Sequence, residues 1–378
     1  MSIRPFEVNV PHQVLVDLRE RIGLARWPDE ITGSGWDNGS NLSYMKELAD
    51  YWMNNFDWRR IEAEINAYPN FIAELDGYRI HFLHIKGKEK KSLPLIMTHG
   101  WPGSFLEMMK LIPLLTNNAD LSFDLVIPSM MGYGFSQKIT QSGCNVLLMG
   151  ELWYKLMKAL GYEKFGAHGG DFGAGVSTVL ALQHPQNVIG LHLNYIPGSY
   201  TPYLSDGENL SPEEIQFEND AADWYTREGS YSHQQKTKAQ TLAYGLNDSP
   251  VGLCAWIIEK FYGWADCKGH IEHVFSKDEL LANVTLYWVT ETAHSSVRLY
   301  NENGKVPLRF TKNDFVRVPV GIARFPLEEP FPPRRYIERG FNIRRWTNMP
   351  AGGHFAAMEQ PELLAEDIIA FFRSLDKG

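Results

Sequence analysis

Cysteine is scarce in this 378-residue chain, with only Cys144, Cys254 and Cys267 present. An odd number without C-x-x-C spacing argues against a disulfide framework or a zinc site and leaves buried thiols as the expectation. Long apolar runs are missing too. No stretch reaches the ~18 uncharged apolar residues of a membrane-spanning helix, and Arg4, Glu7, Asp17, Arg19, Glu20 and Arg21 interrupt the start where a secretory apolar core would lie. A cytoplasmic protein without a membrane anchor is expected. Basic clusters are absent as well: 36 Lys and Arg against 45 Asp and Glu give a net charge of −9. That removes the electrostatic footprint of a nucleic-acid binder. Repeats and low-complexity tracts are also lacking. What remains is ordinary globular usage, 44% hydrophobic and 21% charged, enough to bury a sizeable core in one large domain or two. A small-molecule partner is expected, and oligomeric state is left open, a homo-oligomer being compatible with the sequence.

Residues 1–68 carry helix signals. In "VPHQVLVDLRERIGLARW", Val14, Leu15, Leu18, Ile22 and Leu24 sit near helical spacing, and Leu42, Tyr44, Met45, Leu48, Tyr51 and Trp52 repeat the pattern. This predicts an N-terminal helical domain. "NFIAELDGYRIHFLHI" then places Asp76-Gly77 between two apolar runs, a hairpin signal because that pair tolerates the positive φ of a tight turn. The sheet is expected to begin near Asn70. From Pro94 short apolar strands alternate with helical runs over 104–115, 147–160 and 172–184, and "FAAMEQPELLAEDIIAFFRSL" closes the chain as a helix. Such alternation implies an α/β fold, a mostly parallel sheet flanked by helices. Between 198 and 304 it gives way to helix signals such as "NDSPVGLCAWIIEKF", with Ser249 as N-cap and Pro250 at the first helical position. The organisation expected is a helical domain over 1–68, a core over 69–197 and 305–378, and a helical lid over 198–304.

The chemistry gathers at "GAHGGDFGAG". A strand, then small-x-nucleophile-x-small, then a helix is the nucleophile elbow, whose tight turn needs glycines at its flanks. Gly169-Gly170-Asp171-Phe172-Gly173 fills that pattern with an aspartate. The competing reading is a Gly-rich turn whose Asp171 caps the following helix. Downstream, Glu328 in "FPLEEP" and His354 in "GGHFAAMEQPEL" follow in the order nucleophile, acid, base of such folds. Upstream, "MTHGWPGS" lies where an oxyanion-hole loop would. His270 and His273 in "HIEH" have no identifiable third ligand, and neither a metal nor an organic cofactor is expected.

With these landmarks in order, the chain resembles the epoxide hydrolases of the α/β-hydrolase fold, specifically the microsomal-type branch with an N-terminal helical domain. "RWP", "YWMNNFDWR", "HGWPGS", "GYGFS", "GGDFGAG", "LNDSPVGLCAWIIEKF", "LYW", "FPLE" and "GGHFAA" carry the resemblance over nearly the whole chain. It implies Asp171 as nucleophile, His354 as base and Glu328 as its acid partner, with Tyr231 and Tyr300 as ring-opening acids. The choice of Glu328 over Glu329 follows from the position after "FPL". Membrane members of the family carry an apolar anchor ahead of the helical domain, which here starts almost at Met1, so membrane attachment is not expected.

The aspartate itself names a class of reaction. A serine attacking an sp³ carbon would leave an ether that activated water does not cleave under mild conditions. An aspartate leaves an ester, hydrolysable when His354 activates water toward the Asp171 carbonyl. Glu328 would fix the imidazole tautomer and stabilise the imidazolium. Backbone N–H groups of Trp101 and Phe172 are the expected oxyanion donors. Two substrates fit such an ester: an alkyl halide, whose anion needs N–H donors, and an epoxide, whose alkoxide needs a proton. Tyrosine, with an ordinary pKa of about 10, keeps its proton at neutral pH yet can share it as alkoxide develops. The reading is therefore hydrolysis of a small apolar epoxide by water to a vicinal diol. The alternatives are a haloalkane dehalogenase with the same ester chemistry and a non-catalytic binding protein on the same fold. The sequence leaves substrate-binding residues unknown.

Overall fold

The hairpin at Asp76-Gly77 forms as expected in the computed structural model, which describes residues 2–89 and 91–375: Asp76 and Gly77 take φ of 52° and 82° between paired strands. It joins β2 (Asn70–Leu75) to β3 (Tyr78–Ile85), behind β1 (Ser2–Pro5) and helices α1 (His12–Gly23), α2 (Leu42–Asn54) and α3 (Trp58–Asn66). The sheet therefore starts earlier than Asn70. β1 pairs antiparallel with β2, Ile3 opposite Ala73, and a four-residue edge strand is too short to show a period, since its partner lies far along the chain. Leu15, Leu18 and Ile22 bury the inner face of α1, and Met45, Leu48, Ala49 and Trp52 that of α2. Leu24, expected in that face, is 81% exposed because the helix stops at Gly23.

The rest alternates strand and helix: β4 (Leu93–Thr98), α4 (Leu111–Thr116), β5 (Phe123–Pro128), α5 (Val146–Ala159), β6 (Phe165–Gly169), α6 (Asp171–Gln183) and β7 (Val188–Leu193). Five helices follow before the sheet resumes: α7 (Pro212–Glu228), α8 (Ser230–Asp248, kinked at Lys238), α9 (Pro250–Trp264), α10 (Lys277–Val289) and α11 (Ala293–Gly304). Ser249 caps α9 by accepting from Gly252 N–H at 2.9 Å. β8 (Val316–Arg324), α12 (Arg334–Glu338), β9 (Phe341–Asn348), α13 (Ala356–Glu359) and α14 (Pro361–Leu375) complete the chain. Two expected helices are divided. The run over 104–115 is a 3₁₀ turn at Phe105–Met108 followed by α4. The closing helix breaks at Gln360, since the residue before Pro361 is pushed out of the helical region.

The sheet order is β1-β2-β3-β5-β4-β6-β7-β8-β9, antiparallel through the β3–β5 pair and parallel from β5 to β9. Between β4 and β6 the order reverses: the chain leaves β4 toward β5 on one side and returns to β6 on the other. Loops at the carboxyl ends of the strands diverge at such a point and leave a crevice. The loops after β4 and β6 carry the HGWPGS and GGDFG motifs.

Candidate active site

Asp171 occupies a backbone conformation rare for a residue with a side chain, φ 46°. The tightness of the turn demands it. A Cβ on Gly169 would fall 2.2 Å from Gly173 O, and one on Gly173 would fall 2.0 Å from Thr98 O, so only glycine lets β6, the turn and α6 pack so closely. Gly100 is equally constrained, for a Cβ there would meet the Asp171 side chain at 2.3 Å. The β4 loop thus lies directly on the carboxylate. Trp101 N–H donates to Asp171 Oδ1 at 2.9 Å, and Phe172 N–H also bonds the carboxylate. Burial raises the Asp171 pKa, against the lowering pull of His354 and these two N–H groups.

The expected acid and base lie beside it. His354 Nε2 is 3.6 Å from Asp171 Oδ2, and His354 Nδ1 is 2.7 Å from Glu328 Oε2. Glu328 is buried within an otherwise largely exposed turn after β8, while the exposed Glu329 bonds Arg324 at 2.9 Å. Burial pulls the imidazole pKa down, but the charge and hydrogen bond of Glu328, together with Asp171 and Glu107, outweigh it and raise His354 to about 9. In the unreacted protein His354 is therefore held as an imidazolium between two carboxylates.

The phenols enter from the helices between β7 and β8. Tyr231 lies in the first turn of α8 and Tyr300 on α11, their rings 5.8 Å apart. The Trp101 indole stacks on Tyr231 at 5.4 Å and meets Tyr300 edge-on at 5.6 Å; Phe172 meets Tyr300 at 4.7 Å. Burial, then the Asp171 charge, raises Tyr231; burial, then the coupling to Tyr231, raises Tyr300. Both phenols hold their protons at neutral pH. All seven residues named in the sequence reading, Trp101, Asp171, Phe172, Tyr231, Tyr300, Glu328 and His354, thus converge on one crevice.

Several neighbours went unnoticed in the sequence. Glu359 accepts from Asp266 N–H (2.7 Å), Gly353 N–H (2.9 Å) and Phe355 N–H (2.8 Å), tying the His354 loop to the segment after α9. His354 N–H itself donates to Trp264 O at 2.9 Å. Glu107, on the 3₁₀ turn, lines a cavity with Asp171 and His354. Burial is the main cause that pushes its carboxyl up to about 8. His168 lines the same cavity from β6. Their only sequence signal is proximity to a motif, which many structural residues share.

A mostly parallel sheet whose tight turn at the switch point carries Asp171, with Glu328 and His354 on later loops, has the α/β-hydrolase fold. Residues 3–108 match the family described as "Epoxide hydrolase N terminus", and residues 94–230 match that described as "alpha/beta hydrolase fold". Pig Epoxide hydrolase 1 is 39% identical over 407 aligned residues, covering 100% of this chain and 90% of that protein. The structure of juvenile hormone epoxide hydrolase from the silkworm Bombyx mori superposes with a TM-score of 0.86 at 30% identity, covering 100% of this chain and 94% of that one. Aspergillus niger epoxide hydrolase gives 0.87 at 29% identity, with 99% and 97% covered. The chain belongs to the epoxide hydrolase family and is a hydrolase. Among the described residues, no helix is long and apolar enough to cross a membrane.

Proposed function

We propose that the protein opens an apolar epoxide to a vicinal diol through a covalent ester on Asp171. The observation that carries this is the pairing of a carboxylate nucleophile in an elbow with two proton-bearing phenols across the crevice. Oδ1 of Asp171 is engaged by Trp101 N–H, so Oδ2 is the attacking oxygen. It bonds to an epoxide carbon as that carbon's ring C–O bond breaks, and the released alkoxide takes a proton from Tyr231 or Tyr300. Aromatic rings of Trp101, Phe172 and Trp264 around the phenols favour an apolar substrate.

Esterification removes one of the two carboxylates that keep His354 charged. Its pKa then falls, and the imidazolium passes its proton to the tyrosinate left by ring opening, becoming a neutral imidazole that can serve as base. Water deprotonated by His354 attacks Cγ of Asp171, and Trp101 N–H and Phe172 N–H stabilise the oxyanion on Oδ1. Collapse releases the diol, its alkoxide taking the proton left on the attacking oxygen, and restores the carboxylate with one oxygen from water; His354, now carrying the proton taken from water, is again the imidazolium. Epoxide plus water is consumed, diol is formed, and no redox partner is required.

The test is intact-protein mass spectrometry of His354→Gln protein after mixing with epoxide. A gain of one substrate mass on Asp171 is expected, because alkylation survives and hydrolysis stalls. Accumulation of diol without any adduct would overturn the proposal.

A further inference from the structure

Beneath the nucleophile lies a cavity of about 20 Å³, lined on its polar side by Asp171, His354, Glu107, His168 and Asn194. A buried water needs roughly 10–15 Å³ of such space and two to four polar partners, so this cavity fits one water and little else. Its partners are prepared. Asp367, held ionised by hydrogen bonds from His192, Arg345 and Thr347 despite burial, accepts from His192 Nε2–H at 3.0 Å. That leaves His192 Nδ1 as acceptor for His168 Nδ1–H, 3.0 Å away. His168 Nε2 is thereby assigned as a free acceptor at the cavity. The Glu107 carboxyl accepts from Ser104 N–H and has no side-chain partner among the described residues, and Gly103 makes room for it: a Cβ there would overlap Glu107 Oε1. The carboxyl feels the charges of both His354 and Asp171.

We propose that this cavity holds the water that hydrolyses the Asp171 ester and that Glu107 orients it, an inference resting on the covalent reading above. An attacking water points one lone pair at Cγ and gives one hydrogen to His354. Its second hydrogen needs an acceptor, or the molecule turns freely and the lone pair is seldom aligned. Glu107 supplies that acceptor through a carboxyl oxygen, in either protonation state. His168 Nε2 is a second acceptor at the cavity, but removing it would break the buried chain to Asp367; Glu107, whose carboxyl feels the charges of both His354 and Asp171 and is bonded, among the described residues, only by the Ser104 N–H, is the group we assign to orientation. Positioning of this kind governs reactivity strongly, a misplacement of about 1 Å costing roughly 10²-fold.

The experiment is rapid-quench single turnover, with an epoxide chosen by wild-type turnover from styrene-like, aliphatic and terpenoid candidates, resolving ester formation from ester decay. Glu107→Ala is expected to alkylate at close to the wild-type rate while its ester decays on the order of 10²-fold more slowly. Glu107→Gln, which keeps an acceptor oxygen of the same reach, should restore most of the decay rate. Wild-type decay in Glu107→Ala overturns the inference, as does an equal loss in both steps, which would mark a structural role. Equal slowing in Glu107→Gln and Glu107→Ala also overturns it. If His354→Gln accumulates no ester either, the covalent reading fails and takes this inference with it.

Discussion

His354 and Glu328 are joined at 2.7 Å through Nδ1, while the adjacent Glu329 turns outward to Arg324 at 2.9 Å. Two neighbouring glutamates thus have opposite surroundings, one buried against an imidazole and one in solvent. Glu328→Gln should slow ester hydrolysis because the amide no longer stabilises the imidazolium, whereas Glu329→Gln should leave turnover within about twofold, as surface ion pairs contribute little. Steady-state kinetics of the two variants check this. A damaging Glu329→Gln with a silent Glu328→Gln would reverse the assignment.

The pH response of His354 follows from its neighbours. The two carboxylates, through Glu328 first and Asp171 after it, outweigh burial and raise its pKa to about 9. Asp171→Asn removes one negative charge, as the ester does, so the imidazole should titrate below about 9 in that variant. NMR titration of His354 in wild-type and Asp171→Asn protein measures the shift. The sign has a kinetic counterpart: ester decay should speed up as pH rises through the lowered value, where neutral imidazole appears. An unchanged His354 pKa in Asp171→Asn would contradict the account.

Tyr231 and Tyr300, their rings 5.8 Å apart, are the proposed proton donors to the leaving oxygen, so either phenol should assist when the other is gone. Each Tyr→Phe change should slow alkylation by on the order of 10²-fold at most, the cost of losing one hydrogen bond to developing charge. The double variant should nearly lose alkylation, while decay of an ester already formed is little affected. Pre-steady-state alkylation, with circular dichroism to check folding, separates these cases. A folded double variant that alkylates at the wild-type rate would remove the phenols from the mechanism.

Local signals carried most of the architecture. Asp76-Gly77, Ser249-Pro250 and the glycines around Asp171 act through backbone conformation or capping, which depends on a few adjacent residues, and these features stand where expected. Strand β1 did not announce itself, because its hydrogen bonds are made with β2 and its own four residues carry no period. The break at Gln360 was also missed, although Pro361 follows it, because the apolar pattern runs through the interruption. Site residues inside a motif could be named; those held by distant partners could not. Glu359 matters through N–H groups on two separate loops, and the His168–His192–Asp367 chain joins three elements that meet only in the folded sheet. Glu107 looks like an ordinary helix-start glutamate until the cavity beside Asp171 is formed.

The central claim is that Asp171, and not water, first bonds to the epoxide carbon. A single turnover in ¹⁸O-labelled water, with enzyme in excess over epoxide, tests it directly by mass spectrometry of the diol. The account predicts that the first diol released carries unlabelled oxygen, donated by the Asp171 carboxylate, and that the label appears in the protein at Asp171. A fully labelled diol from the first turnover, with no label in the protein, would mean direct attack by water and would contradict it.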